Sequence, residues 1–330
     1  MRRIFIPVDI NPAPLRPPIG LHVRTMAGAT MGTTWSVKAA VPGGLQLDRL
    51  QYEIEEALAE IVRQMSPWEE QSCLSVFNRA PAGTWHRLPE EFFAVLAEAT
   101  RIAEQTAGAF DPTVGSLVNR AGFGPILPTE PRSERDPTTA RRSGLPLNPV
   151  TRSVLQPGGV QLDLCAIAKG FAVDRVSELL LRHELPDHLV EIGGECRGSG
   201  LKPDGTPWWV AIEWAGRSPG SAAPDAVVAL HGVSIATSGG YRRYRREGEA
   251  CITHLVDPRT GHALDDVVTT ATVVFPRCMV ADAWATALAV LGPEKGLRLA
   301  ATHDIAALFT LGKDNAHRLE MSPAMAAMLN

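Results

Sequence analysis

Within residues 160–180 the hydrophobic pattern changes abruptly from that of a strand to that of a helix. Apolar residues alternate up to Leu164, and from Ile167 onward they recur at helical spacing. The start of a helix leaves backbone N–H groups unpaired, and the helix dipole there favours anions. One carboxylate, Asp163, and one ammonium, Lys169, stand at this junction. The pattern fits a site that holds a phosphate, and it also fits a carboxylate cap followed by a solvated lysine.

Helix and strand patterns are mixed along the chain without a regular strand–helix–strand period. An amphipathic helix is predicted from Asp48 to the residue before Pro67, and further helices are predicted from Pro89 to Gly108 and over 281–291 and 294–300. The short strands between them come in hairpin-like pairs. This order favours an α+β fold with antiparallel strands over a doubly wound parallel sheet.

One large domain accounts for most of the 330 residues. Residues 1–24 are rich in proline and predict an extended tail, residues 25–320 predict the domain, and residues 321–330 predict a short C-terminal tail. A segment at about 128–149, rich in Pro, Arg, Ser and Thr, predicts a surface loop. The apolar run at residues 4–7 is too short for an export signal or a membrane span, so we expect a cytoplasmic protein.

Composition and charge exclude several classes of partner and site. A net charge of −4 gives no field that favours nucleic acid, and the basic run at residues 241–247 is typical of a solvated strand edge. The five cysteines are widely scattered without a CxxC pair, which indicates neither a disulfide framework nor a zinc site. The glycine cluster at residues 193–200 lacks the dinucleotide-binding spacing and predicts a hairpin.

Asp282 and Thr286 are four residues apart in a segment of helical pattern, so their side chains share one face. A carboxylate and a hydroxyl are hard oxygen ligands of the kind that magnesium takes in proteins. The same spacing is frequent by chance, and Asp282 also fits the ordinary role of an acidic residue near a helix N-terminus.

Two turn sequences carry further candidates. His254 directly precedes the turn at residues 257–261, where it is either a structural histidine or a general base. Phe110 and Asp111 follow the predicted helix end at Gly108, where they either form a capped turn or pack on and hydrogen-bond a planar heterocycle.

Seven segments together resemble, in order, the motifs of the FAD:protein FMN transferases, the ApbE family, once called thiamine biosynthesis lipoproteins. The resemblance covers roughly residues 25–320. The segments are MGTTWSV (31–37), QMSPWEEQSCLSVFN (64–78), GAFDPTVGSL (108–117), DLCAIAKGFAVD (163–174), IATSGGYRRY (235–244), HLVDPRTG (254–261) and ADAWATAL (281–288).

The resemblance implies a single α+β domain of the T-fold-like ApbE type, with largely antiparallel sheets. It implies a magnesium-dependent enzyme that moves the FMN half of FAD onto a threonine or serine of a target flavoprotein and releases AMP. An FAD pyrophosphatase that gives FMN and AMP, and a non-catalytic FAD-binding protein, are the alternatives on the same scaffold.

Residue roles follow from the resemblance by position. Magnesium is expected at the backbone carbonyl of Ala166 with the side chains of Asp282 and Thr286, and His254 is expected to be the base for the acceptor hydroxyl. The expected FAD contacts are Met31, Trp68, Ala109, Phe110, Asp111, Asp163, Lys169 and His254.

The chain also departs from the family pattern. Cys165 and Ala166 stand where a glycine pair is usual, and Gly240 and Ala285 stand where acidic residues occur in relatives. Many relatives are exported, so a periplasmic protein associated with the inner membrane is the alternative to the cytoplasmic location.

Overall fold

A computed structural model of the chain describes residues 3–8, 20–125, 144–213, 226–248, 250–265, 269–312 and 318–329. The contacts divide the chain into two compact units, each built from segments that are distant in sequence. The first unit comprises Met1–Ala59, Lys169–Gly239 and Val268–Asn330, and the second comprises Glu60–Ala168 and Gly240–Val267.

Helices and strands alternate irregularly along the chain, as the sequence predicts. The strands are β1 (Arg3–Phe5), β2 (Leu21–Thr30), β3 (Thr33–Pro42), β4 (Thr84–Arg87), β5 (Leu147–Asn148), β6 (Ser153–Gln156), β7 (His188–Ile192), β8 (Glu195–Ser199), β9 (Trp208–Ala211), β10 (Ala226–Leu230), β11 (Val233–Gly239), β12 (Tyr244–Glu247), β13 (Ala250–Thr253), β14 (Thr270–Phe275), β15 (Ala306–Leu311) and β16 (Arg318–Met321). The helices are α1 (Asp48–Met65), α2 (Cys73–Arg79), α3 (Glu90–Gln105), α4 (Gly115–Arg120), α5 (Ala168–Arg182), α6 (Cys278–Thr302) and α7 (Pro323–Ala326).

An eight-stranded sheet forms the centre of the first unit, in the order β16-β15-β14-β11-β8-β7-β3-β2. Every neighbouring pair in it is antiparallel. Helix α6 packs on β11 and β14 and buries nearly its whole first half, including Trp284. The α+β class with largely antiparallel strands is therefore confirmed.

A three-stranded sheet in the first unit brings the chain ends into the structure. Strand β1 pairs in parallel with β10, which pairs antiparallel with β9. Phe5 and Met325 are both fully buried in one apolar cluster, and the N–H of Ile6 donates to the carbonyl of Met328 at 2.7 Å. These residues lie inside the predicted tails at 1–24 and 321–330. For β1 the difference arises because its partner strand β10 is more than two hundred residues away in the sequence, where a local pattern does not indicate it.

The second unit contains two small sheets and the helices α2, α3 and α4. One sheet has the order β4-β6-β5, and the other is the hairpin of β12 and β13. Within the predicted surface loop at about 128–149, residues up to 143 lie outside the described part of the chain, whereas Leu147 and Asn148 form β5 and pair with β6. Fully buried Phe77 and Phe92 belong to the core of this unit.

Several local predictions are confirmed. Helix α1 ends at Met65, directly before the predicted stop, and Ile54, Leu58 and Ile61 on its apolar face are at most 2% exposed. The glycine cluster at residues 193–200 includes the turn of the β7–β8 hairpin. Gly292 interrupts α6 with a φ of 74°, which separates the two predicted helical stretches before Pro293. Within the described part of the chain, the helices are all too short or too polar to cross a membrane.

Candidate functional site

The predicted site residues are distributed over both units. Met31, Lys169, Asp282 and Thr286 belong to the first unit, and Trp68, Ala109, Phe110, Asp111, Asp163, Ala166 and His254 belong to the second.

In the first unit, helices α5 and α6 meet at Gly170 and Asp282. The N–H of Gly170 donates to Oδ2 of Asp282 at 3.0 Å. A β-carbon placed on Gly170 would lie 2.4 Å from the carbonyl oxygen of Cys278, so only glycine allows this approach. Asp282 is 2% exposed. Burial raises the pKa of its carboxyl, while the nearby Lys169 ammonium and the Gly170 hydrogen bond act in the opposite direction.

Thr286 lies one helical turn beyond Asp282, on the same face of α6. Its hydroxyl is 2.9 Å from the hydroxyl of Ser238 on β11. Ser238 was not among the residues that the sequence predicted. The donor set of the first unit therefore contains one buried carboxylate and two hydroxyls, all of them hard oxygens.

Lys169 lies in the first turn of α5 and pairs with a carboxylate that sequence reasoning missed. Its Nζ is 2.5 Å from Oε1 of Glu195, at the start of β8. Burial, and to a smaller extent the Asp282 charge, raise the pKa of Glu195 to about 7 against the opposing effect of Lys169. The one local feature that indicates the burial of Glu195 is the register of the β7–β8 hairpin, in which it pairs with the fully buried Ile192.

These groups fit a magnesium ion by their chemistry. Mg²⁺ prefers carboxylate, hydroxyl and carbonyl oxygens and usually keeps several waters. Asp282 and Thr286 supply two such oxygens from one helix face of the first unit. The role of the Ala166 carbonyl as a further ligand stays a prediction. The described residues contain no group of three or more His, Cys, Asp or Glu side chains that could hold a metal ion by themselves. The donor set thus suits a hard cation that also binds other ligands.

Met31 occupies the tip of the long β2–β3 hairpin. It has a φ of 50°, and Gly32 after it has a φ of 71°. A non-glycine residue in this left-handed region is uncommon and costs backbone energy, and such strain is often found where a ligand is held.

The second unit contains a cavity of about 210 Å³ whose wall is mostly apolar and carries a few polar side chains. Trp68 and Asp163, two of the predicted FAD contacts, both line it, together with the side-chain amides of Asn78, Asn119 and Gln161. The indole of Trp68 is 55% exposed. An exposed aromatic ring beside amide groups suits a planar heterocycle, which needs both stacking and hydrogen bonds.

Hydrogen bonds fix one wall of this cavity. The amide of Asn78 donates to the carbonyl of Leu162 at 2.9 Å and accepts from its N–H at 2.7 Å. The amide of Asn119 donates to Oε1 of Gln161 at 3.0 Å. The N–H of Asp163 donates to the carbonyl of Pro112 at 2.8 Å. The segment that presents Asp163 is therefore held along its whole length.

Asp163 also caps the turn that leads into α5. Its Oδ1 accepts the N–H of Cys165 at 2.8 Å, and the side chain of Cys165 is exposed. One carboxylate oxygen of Asp163 therefore has the capping role that the sequence left open. The turn places Ala166 two residues before the helix begins at Ala168.

The turn after α3 is ordered by Asp111. Its Oδ1 accepts the N–H of Thr113 at 2.7 Å and the hydroxyl of Thr113 at 2.6 Å. Ala109 and Phe110 before it are 1% and 3% exposed. The Phe110 ring is therefore part of the core, and it has little surface on which a ligand can pack.

His254 follows β13 and has a defined tautomer. Its Nδ1 lies 3.0 Å from the carbonyl oxygen of Arg243, which also accepts the backbone N–H of His254. Because a carbonyl only accepts, Nδ1 carries the proton and Nε2 is the basic nitrogen. The ring also meets Phe123 edge-on, with centroids 6.3 Å apart. This geometry suits a general base.

The turn that follows His254 is present, as predicted, and hydrogen bonds order it. Arg259 donates two side-chain hydrogen bonds to Asp257, at 2.9 and 2.8 Å, and Gly261 has a φ of 78°. Burial alone would raise the pKa of Asp257, but the hydrogen bonds from Arg259 hold this pKa below its usual value.

Comparison with known proteins places this geometry in a family. The model of the ApbE family matches residues 31–309. The chain belongs to the ApbE family. An FAD:protein FMN transferase of Haemophilus influenzae is 35% identical over 317 residues, which cover 92% of this chain and 90% of that protein. One of Vibrio cholerae is 35% identical over 298 residues, which cover 88% of each.

Solved ApbE structures share the fold. The apo form of the Pseudomonas stutzeri flavinyl transferase ApbE matches with a TM-score of 0.79 and 32% identity, over 94% of this chain and 99% of that one. The flavin transferase ApbE of Vibrio cholerae matches with a TM-score of 0.78 and 32% identity, over 94% of this chain and all of that one. The resemblance stated from the motifs is therefore confirmed.

Proposed function

We propose that this ApbE-family chain transfers the FMN half of FAD to a hydroxyl of a target protein and releases AMP. The relatives that match nearly the whole chain are FAD:protein FMN transferases. The observation that carries the proposal is the grouping of Asp282, Thr286 and Lys169 in the first unit, because a buried carboxylate, a hydroxyl and an ammonium suit a cation and a phosphate.

The proposed reaction is a phosphoryl transfer. The oxygen of a threonine or serine of the target flavoprotein attacks the phosphorus on the FMN side of the pyrophosphate. A new phosphoester bond forms, and the bond from this phosphorus to the bridging oxygen breaks, with its electron pair leaving on AMP. The proton of the attacking hydroxyl passes to Nε2 of His254. FMN is thus joined to the protein without any change of redox state.

Each residue has a distinct task in this proposal. Asp282, Thr286 and the Ala166 carbonyl would hold Mg²⁺, and the bound ion would stabilise the negative charge that develops on phosphoryl oxygens. Lys169 adds a fixed positive charge for the same phosphates. His254 accepts the proton because a neutral hydroxyl is a weak nucleophile.

The cavity in the second unit supplies recognition of FAD. Trp68 offers a face for stacking, and the amides along the wall offer hydrogen bonds to ring nitrogens and oxygens. We propose that Met31, Ala109, Phe110, Asp111 and Asp163 complete the FAD site. The burial of Ala109 and Phe110 limits them to contacts from the backbone or the ring edge.

The test is a stoichiometry measurement. The protein is incubated with FAD, Mg²⁺ and an acceptor protein that carries a flavinylation-motif threonine, and AMP and protein-bound flavin are counted. We expect one AMP for each flavin attached, and no attachment when the acceptor threonine is replaced by valine. AMP with an equal amount of free FMN would instead identify an FAD pyrophosphatase. Bound, intact FAD without AMP would identify a non-catalytic FAD-binding protein.

A further inference from the structure

Glu195 is a buried carboxylate in the interior of the eight-stranded sheet. It begins β8, which lies between β7 and β11. Its side chain is 3% exposed, and its Oε1 is 2.5 Å from Nζ of Lys169. It lies outside the seven motif segments. Carboxylates are rarely buried this deeply, and those that are have a specific partner. The burial of Glu195 beside Lys169 therefore requires an explanation.

Stability alone does not explain the pair. The cost of removing two charges from water often exceeds their attraction, and apolar replacements of buried ion pairs are frequently neutral or stabilising. In addition, Oε2 of Glu195 is fully buried and has no hydrogen-bond partner in the part of the chain that the structure describes. A half-satisfied buried carboxylate makes the fold less stable. Its presence in the core therefore indicates a role other than stabilisation.

The pair fixes the end of an otherwise flexible side chain. The backbone of Lys169 is held because Gly170, the next residue, is pressed against α6 and donates to Asp282. A lysine stem still has several rotatable bonds and about 2 kcal/mol of rotamer entropy. Glu195 fixes the ammonium from the rigid sheet, while 29% of the lysine side chain stays exposed. The charge is therefore both oriented and partly accessible.

We propose that Glu195 is a positioning residue that holds the Lys169 ammonium in the orientation in which it meets the phosphates of FAD. The expected effect of Glu195 on turnover rests on the proposed function. The orientation of the Lys169 ammonium rests on the structure alone. Fixed charges stabilise a transition state better than mobile ones because they need no rearrangement during the reaction.

The test compares Glu195→Gln with Glu191→Gln. Both variants make the same chemical change in the same hairpin, but Glu191 bonds Ser36 and the N–H of Gly194 rather than Lys169. We expect Glu195→Gln to lower kcat for AMP release by about 10-fold to 100-fold, the usual cost of a misplaced catalytic charge. The KM for FAD should change less than kcat. Glu191→Gln should change kcat less than about 2-fold.

A double-mutant cycle separates positioning from general damage. If Glu195 acts through Lys169, the loss in kcat caused by Glu195→Gln should disappear in a Lys169→Met background. Thermal unfolding of each variant identifies any that fails to fold. Equal losses of kcat in the wild-type and Lys169→Met backgrounds would overturn the proposal.

A second measurement does not depend on turnover. The reaction of Lys169 with an amine-acylating reagent is followed by mass spectrometry in the wild type and in both variants. Acylation requires the amine to leave its carboxylate partner, so it should be at least about 3-fold faster in Glu195→Gln, and unchanged in Glu191→Gln. Equal rates in all three would overturn the proposal. If the wild type transfers no FMN but these rates differ as expected, the proposed function fails and the positioning of Lys169 stands.

Discussion

The contact between α5 and α6 at Gly170 gives the sharpest stability prediction. Replacement of Gly170 by alanine puts a β-carbon 2.4 Å from the carbonyl oxygen of Cys278 and 2.9 Å from the β-carbon of Asp282. The nearest atoms belong to the backbone, so no side-chain rotation relieves the clash. The two helices must separate, and the hydrogen bond from Gly170 to the Asp282 carboxylate must lengthen.

Three contributions set the size of the effect. Overpacking costs about 1–3 kcal/mol. Loss of a hydrogen bond to a charged, buried group costs about 1.5–3 kcal/mol. The higher helix propensity of alanine returns about 1 kcal/mol. We therefore expect Gly170→Ala to lower the free energy of unfolding by about 1.5–5 kcal/mol.

Urea unfolding followed by tryptophan fluorescence measures this loss, because Trp284 is buried in α6. With a slope of about 3 kcal/mol per molar urea, the midpoint should fall by about 0.5–1.7 M. Gly43→Ala is the matched control, since Gly43 has open space around its α-carbon. It should unfold within about 0.5 kcal/mol of the wild type. A Gly170→Ala protein as stable as the control would refute the close helix contact.

Three further variants test the site and the core. Asp282→Asn should keep the fold but abolish the Mg²⁺-dependent release of AMP from FAD; AMP release at the wild-type rate would contradict the ligand assignment. His254→Ala should retain FAD binding, measured by flavin fluorescence, while kcat falls by about 10²- to 10⁴-fold; an unchanged kcat would exclude the histidine as the base. Burial lowers the pKa of His188 to about 4 and keeps it neutral between Ser177 and the Leu185 carbonyl. The unfolded chain therefore binds more protons below pH ~6.5, and about 3 kcal/mol of stability is lost as the pH falls from about 6.5 to about 4. Urea titrations at several pH values should show that His188→Gln lacks this loss, and identical pH slopes would contradict the assignment.

The sequence predicts the local parts of this molecule well. The amphipathic face of α1, the turn at Asp257 and the helical position of Asp282 and Thr286 depend on residues at most a few turns apart. The structure agrees with each of them. The seven motifs in order predict more than the local patterns do, because together they indicate the family even where no single motif is specific.

The sequence does not predict the side chains whose role depends on contacts between distant segments. Glu195 and Ser238 join the site residues only because β8 and β11 lie side by side under α6. Asp174, in α5, accepts the N–H groups of Cys278 and Met279 at 2.9 Å and so caps α6 from another helix. The local sequence of none of these segments indicates its partner in another segment of the chain. Contacts between distant segments, rather than local sequence patterns, determine the partners of these residues.

The transfer of FMN to a protein hydroxyl is the central claim, and the intact mass of the acceptor protein tests it most directly. After incubation with the wild-type chain, FAD and Mg²⁺, the acceptor should gain the mass of one FMN minus one water. The gain should be absent with Asp282→Asn and with an acceptor whose threonine is replaced by valine. An acceptor of unchanged mass beside free FMN and AMP would contradict the transferase assignment, and a gain in the valine acceptor would contradict the hydroxyl linkage.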